Sequence, residues 1–296
     1  LAHRSIAKSY IKQEKWHDAM RASLNGDDRI LYSEAFNNYR HQIFRDNFAV
    51  VMLCIILIFI TLILLIRKAN TLAIDALGKF REGSPDKMKT RNILKLALAT
   101  PIHPMETNWF IKENREKMNY LPSFIILFLV VAMRIIYIFT THYPLMDVEP
   151  RNASIWLECV RFILPIITWV FAITYITSIT SGESKRGEVF VATSFCMIPH
   201  ILVTIPLVLL SRIISITEAG LYGFIINLTW IVIAILIFIS VKELNDYSIG
   251  KTILVCFIGV LTMILIWAVA ILIALLIIQL GQFIFGIIRE IGMTLT

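Results

Sequence analysis

Apolar residues in this chain fall in long blocks rather than in stripes. Six runs stand out: Phe48–Ile66, Leu121–Thr140, Glu158–Ile179, Phe190–Ile214, Leu221–Val241 and Thr252–Leu280. About 20 helical residues cross a hydrocarbon core of about 30 Å, so each run is long enough to span a bilayer. The last run is longer than a perpendicular crossing needs, and its apolar character continues past Gly281 to Ile288. That excess predicts a tilted helix, or one that bends at Gly281 and lies along the surface. The pattern therefore predicts an all-α polytopic membrane protein with six transmembrane helices: one N-terminal anchor at 48–66, and five more within 121–282.

The segments between the runs are helical in pattern. In residues 1–47, Ile6, Ala7, Tyr10, Trp16, Ala19, Ala22 and Leu24 recur at helical spacing. Asn25-Gly26-Asp27-Asp28 is a stop and turn, after which Ile30–Arg45 is expected to run straight into the first span. The arrangement Ala-x2-Tyr-x5-Trp-x2-Ala resembles one tetratricopeptide repeat, in which small residues let two helices approach closely. One repeat cannot bury its own face, so this reading makes the segment the last unit of a longer array. A start at Leu1 with no signal-peptide pattern before the first span fits that expectation. A plain two-helix stalk is the alternative. On either reading Tyr10, Trp16, Tyr32 and Phe36 are the candidate docking residues of the segment.

Residues 67–120 interleave apolar and basic positions around a break at Gly83-Ser84-Pro85-Asp86. Leu72, Ile74, Leu77 and Phe80 precede it, and Ile93, Leu94, Leu96 and Leu98 follow. Thr100-Pro101-Ile102-His103-Pro104-Met105 reads as extended, because proline disfavours helix at the residue before it. Glu106–Met118 restarts a helix, with Trp109, Phe110 and Lys112 suited to the headgroup level. This pattern predicts surface helices attracted to anionic lipid. Residues 283–296 form a short tail.

Composition supports the membrane reading. The 296 residues are 57% hydrophobic and 17% charged, with a mean hydropathy of +0.75, whereas soluble domains carry about 25% charged residues. A soluble enzyme, a disordered chain and a disulfide scaffold are excluded. The net charge of +7 reports topology rather than nucleic acid, for which no binding module is present. Eleven Lys and Arg lie in 67–120, with Lys185, Arg186, Lys242 and Lys251 in loops of the same side. The opposite side offers Arg151, Arg212 and Arg289. The positive-inside rule then places 67–120, 180–189 and 242–251 in the cytoplasm. Residues 1–47, the loops at 141–157 and 215–220 and the C-terminus fall outside, although 1–47 carries eight Lys and Arg of its own.

No Walker loop, His-Glu-x-x-His, Gly-x-Ser-x-Gly or Cys-x-x-Cys occurs. The six His are scattered and the four Cys fall in four different spans, so no catalytic residue, metal or cofactor is expected. Charged residues inside spans are costly and serve as default functional candidates. Arg134, Glu158, Arg161, Arg212 and Glu218 all fall toward the outer ends, which predicts an outer-leaflet charge layer available to a partner. Snorkelling of the Arg heads and an internal ion-pair network are the alternatives. His200, after Pro199 and between Thr193 and Thr204, is the candidate intramembrane polar site. It belongs either to a translocation path through a broken helix or to a kinked helix buried in the bundle.

Three stretches together resemble a known family. Ile102-His103-Pro104-Met105-Glu106 to Ile111-Lys112 precedes the five spans. Gly187-Glu188-Val189-Phe190-Val191-Ala192-Thr193 leads to Ile198-Pro199. Val241-Lys242-Glu243-Leu244-Asn245-Asp246-Tyr247-Ser248-Ile249-Gly250-Lys251 joins the last two spans. Over residues 100–282 this resembles the Yip-domain family of five-span membrane proteins, in its bacterial branch. Its most specific part is the loop carrying Lys242, Glu243, Tyr247, Ser248, Gly250 and Lys251. The resemblance implies no catalytic residues. It implies partners among carbohydrate ABC-importer permeases and exported solute-binding or propeller proteins. It also implies a bacterial plasma-membrane location. A non-enzymatic subunit or scaffold is the expected function, with membrane lipid and other proteins as its contacts. A transporter or channel, or a trafficking factor like the eukaryotic relatives, are the alternatives.

Overall fold

The computed structural model describes residues 2–82, 90–115, 118–146, 148–149 and 153–294. Every regular element among them is helical. Three helices open the chain: α1 (Ala2–Lys12), α2 (Trp16–Asn25) and α3 (Arg29–Asp46). They are followed by α4 (Phe48–Glu82), α5 (Thr90–Ala99) and α6 (Pro104–Glu113). The remainder is α7 (Leu121–Thr140), α8 (Ile155–Ile179), α9 (Arg186–Cys196), α10 (Ile198–Leu210), α11 (Ala219–Asn245) and α12 (Ile249–Thr294), with a 3-10 turn at Ile216–Glu218. Among the described residues five helical stretches are long and apolar enough to cross a membrane, α9 and α10 counting as one. The chain is thus a multi-pass, all-helical protein built for a membrane.

The bundle has two ends, called upper and lower here. The 141–149 and 211–218 connections lie at the upper end and bond to α3. The α8–α9 and α11–α12 turns lie at the lower end and bond to α6. The alternation expected from the apolar runs therefore holds, and residues 2–46 share an end with the loops assigned to their side.

The main core lies toward the lower half. Phe195, fully buried, sits among Ile126 and Val130 of α7, Val191 of α9, Ile198 of α10 and Ile233 of α11. Ile93, Leu96 and Ala97 of α5 and Phe110 and Ile111 of α6 belong to the same cluster. The expectation of lipid-surface helices in 67–120 is corrected here: the apolar faces of α5 and α6 are spent on the bundle itself. Among the described residues of these two helices Leu98, Met105 and Trp109 keep exposed apolar surface, and in the same segment so do Leu72, Ile74 and Ile102. A stripe of apolar residues is satisfied by protein as well as by lipid, and the sequence pattern does not distinguish the two. The Gly83–Asp86 break falls outside the described residues.

Two further expectations change. The chain does not run straight from α3 into α4; the helices meet at 98°. Asn47, with φ −126° and ψ 33°, leaves the helical region between them. In turn α4 does not end at Ile66 but continues to Glu82. Nor does α12 break at Gly281: it runs unbroken for 46 residues, about 69 Å at 1.5 Å per residue. A lone glycine lowers helix propensity without forcing a bend. Helix α12 rests on α8 through Gly259, where a Cβ would come within 2.8 Å of Ile173. Beyond Gly259 none of its described side chains is buried.

At Pro199 the structure shows an interrupted helix within one span, Arg186–Leu210, rather than a broken span. Between α9 and α10 the i−4 ladder gives way to i−3 bonds, from Met197 N–H to Ser194 and from His200 N–H to Met197. Proline lacks the N–H that would continue the ladder.

The burial of α6 has a direct test in a variant lacking the native cysteines. A cysteine at Ile111 is expected to resist a soluble maleimide in folded protein, whereas one at Trp109 reacts at least tenfold faster. Equal rates would refute the docking of α6.

Candidate functional site

The predicted outer charge layer resolves into separate pairs. Glu158, in the first turn of α8, is buried. One carboxylate oxygen accepts from Arg134 Nε of α7 at 2.9 Å and the other from Arg161 Nη1 at 3.1 Å. Ser154 caps this helix through the Leu157 N–H, which starts α8 one turn before Glu158 and sets the carboxylate facing α7. The Arg134 guanidinium also lies 5.3 Å over the Tyr137 ring and 5.9 Å over Phe162. Three of the five expected residues thus form an internal network. Arg212 stands apart on the exposed turn after α10, and Glu218 faces a different partner.

His200 adjoins this network. Its ring lies tilted against Phe162 at 5.3 Å and Trp230 at 5.6 Å between centroids. Its Nε2 is buried and has no hydrogen-bond partner among the described residues. A cavity of about 70 Å³ lies between His200, Arg134, Phe162, Thr204, Thr229 and Trp230. The Thr204 and Thr229 hydroxyls donate to carbonyls of their own helices, His200 O and Ile225 O.

Glu218 belongs to the interface that fixes α3 on the upper end. Its carboxylate takes two bonds from Arg40, at 2.7 and 2.8 Å, and Arg40 also donates to Ile213 O. The Ile216 N–H donates to Ser33 Oγ. Tyr32 is buried, with its hydroxyl 3.0 Å from His142 Nε2 and its ring at a right angle to Tyr143. Tyr143 donates to Asp27, and Arg29 donates to Pro144 O and Met146 O. Tyr32 is therefore removed from the candidate docking residues, because both its ring and its hydroxyl serve the chain's own loop. Phe36 stacks on Tyr32, and Tyr10 packs beside Ala7, Ala22 and Leu31; both stay partly exposed, as does Trp16.

Burial, and then the positive charge of Arg212, lower the pKa of His142 below the ordinary imidazole value. Burial and the bond to Asp27 push the Tyr143 hydroxyl up to about 12.

At the lower end, the 242–251 loop is a clasp between two turns. Tyr247 is buried, its hydroxyl 2.8 Å from Thr180 Oγ1, and Lys251 Nζ sits 4.0 Å over its ring. Asn245 accepts from the Ser184 N–H and donates to Val241 O. Gly182 leaves the room this requires, since a Cβ there would overlap Tyr247, Asn245 and Thr177. Ser248 accepts from the Lys251 N–H at the start of α12, and Lys242 pairs with Glu243 at 2.7 Å. Nothing in the structure requires Gly250, whose Cβ would meet open space. Lys112 of α6 bonds both turns, through Glu183 at 2.9 Å and through Asp246. Burial opposes its charge, but these bonds hold its pKa above the ordinary lysine value.

The sequence reading missed Asp27, Arg40, His142, Tyr143, Lys112, Asn245 and Gly182. A loop aromatic beside proline at Tyr143-Pro144, and Asn245-Asp246 at a helix end, were the available signals.

Two predictions follow from these contacts. A histidine whose folded-state pKa is depressed contributes stability that is present above its unfolded value, about 6.5, and lost as pH falls through the folded value. Amide protection factors in α3, corrected for the intrinsic exchange rate at each pH, are therefore expected to fall as pH drops from 7.5 to 5, and His142→Gln is expected to flatten that dependence. Tyr247→Phe should cost about 1 kcal/mol, the usual net worth of one hydrogen bond, while Gly182→Ala should cost more by steric overlap; thermal melts in detergent rank the two. Compared with known proteins, the chain matches no family model, no curated protein and no solved structure.

Proposed function

We propose that this chain is a non-enzymatic, multi-pass membrane subunit whose N-terminal helices form a fixed platform for a partner protein. The observation that carries this reading is the way α3 is fastened. Its inner side is bonded to both upper connections by Tyr32, Arg40, Arg29 and Ser33. Ile6, Leu24 and Ile30 of the same three-helix unit remain exposed, Ile30 beside Ile216 and Thr217 of the upper connection. An apolar surface on a unit held rigid in this way loses little entropy when a partner docks. Ala7, Ala19 and Ala35 are fully buried where these helices meet, which supports the tetratricopeptide-like reading.

The charge asymmetry supports an exterior upper end and a cytoplasmic lower end. With α4 as the first of six spans, residues 1–47 then face outside a bacterial plasma membrane, as does the C-terminus. The Yip-like loop favours importer permeases and exported solute-binding or propeller proteins as the partner class. It is the only support for a link to carbohydrate uptake. A transport role for the bundle itself has less behind it, because the polar cavity occupies only its upper half.

The test is extraction into nanodiscs at native expression, with mass spectrometry of what co-purifies. A stoichiometric partner that is lost at least fivefold from an Ile30→Glu variant of unchanged melting temperature is the expected result. A partnerless particle, or a partner indifferent to this surface, would refute the platform.

A further inference from the structure

We propose that the cavity between α7, α8, α10 and α11 is a binding site for a carboxylate group, supplied by a small organic acid or by a fatty acid. Three observations converge on it. The first is charge. Glu158 gives one negative charge to two guanidiniums, those of Arg134 and Arg161. The surplus positive charge rests on Arg161, whose side chain is mostly exposed, whereas the largely buried Arg134 bonds Glu158 through Nε and lines the cavity. The Arg134 guanidinium offers an anion a charge-assisted hydrogen bond that a water molecule does not match.

The second is the hydrogen-bond inventory of the walls. His200 Nε2 is buried without a partner, and a buried polar nitrogen calls for one. With its proton on Nε2 it is a donor. The Thr204 and Thr229 hydroxyls spend their protons on backbone carbonyls. Arg134 and His200 are therefore the donors to an anion, and the aromatic neighbours fix both. The guanidinium is held over Tyr137 and Phe162, and the imidazole lies tilted against Phe162 and Trp230. Planar guanidinium donors suit the two oxygens of a carboxylate.

The third is size and wall chemistry. The cavity of about 70 Å³ is small and not fully enclosed, so it suits a carboxyl head, and a longer alkyl chain would extend out of it. Val203, Leu207 and Ile226 complete the lining, and they offer a short alkyl group apolar contact that sulfate or phosphate would waste. The site is independent of the platform proposed above, since no residue of α1–α3 lines it.

The experiment uses the full chain in nanodiscs, with sodium acetate, sodium decanoate, sodium chloride and acetamide as probes. Binding is read by thermal shift and by saturation-transfer NMR. Acetate is expected to saturate and to raise the melting temperature, with chloride at equal ionic strength and neutral acetamide inactive. Decanoate binding more tightly than acetate assigns the carboxylate to lipid; acetate binding alone assigns it to a soluble acid. His200→Phe keeps the ring contacts and is expected to weaken binding at least tenfold while leaving the fold intact. Arg134→Gln orphans Glu158, so it is paired with Glu158→Gln; this double variant should bind neither carboxylate. Saturation by neither acid in folded protein would overturn the proposal and leave a hydrated cavity. So would affinities unchanged in His200→Phe.

Discussion

Inside a bilayer no solvent competes for hydrogen bonds, and every polar group carried into the bundle must find its partner within the protein. This constraint organises most of the structure. Thr168, Thr174, Thr177, Ser194, Thr204 and Ser240 return their hydroxyls to carbonyls four residues earlier. Glu158 is tolerated in its buried position because two guanidiniums hold its two oxygens. Among the described residues the inventory does not close at several atoms, Ser123 Oγ, Trp169 Nε1 and His200 Nε2 among them, and of these three His200 is the one that faces the cavity beside Arg134.

The same requirement is met differently at the two ends. Below, the 180–185 and 245–248 turns are joined through Tyr247, Asn245 and Lys112, and Gly182 is small because those side chains occupy the space. Above, the two connections bond to each other, His142 N–H to Ser211 Oγ at 3.0 Å. They are completed by the N-terminal helices, through the Arg40–Glu218 pair and the Tyr32–His142 contact. The N-terminal unit is thus part of the upper end rather than a tethered appendage. This is why its exposed surface can present a fixed geometry to another protein.

Two long helices take a smaller part in these internal contacts. Beyond Gly259 the described side chains of α12 are mostly exposed and apolar, as are those of α4 between Phe48 and Leu64. In a membrane such surfaces need no protein partner, because lipid tails solvate them as well as leucine does. Their length sets them apart: 46 residues in α12 and 35 in α4 exceed what a bilayer crossing requires.

The runs of apolar residues were enough to determine the helical class and, from Leu121 onward, five stretches long enough to cross a membrane and their alternation between the two ends of the bundle. Each depends only on hydropathy and length, which are local properties. The interruption at Pro199 was legible for the same reason: a missing N–H acts on its own helix. Tertiary structure alone decided which amphipathic faces met protein rather than lipid, as for Ile93, Phe110 and Ile111. It also decided how the expected charge layer divided, giving Glu158 to Arg134 and Arg161 but Glu218 to Arg40, more than 170 residues away in the chain. Burial of a stripe and choice of a counter-charge depend on which helices become neighbours, and hydropathy along one chain carries no record of that.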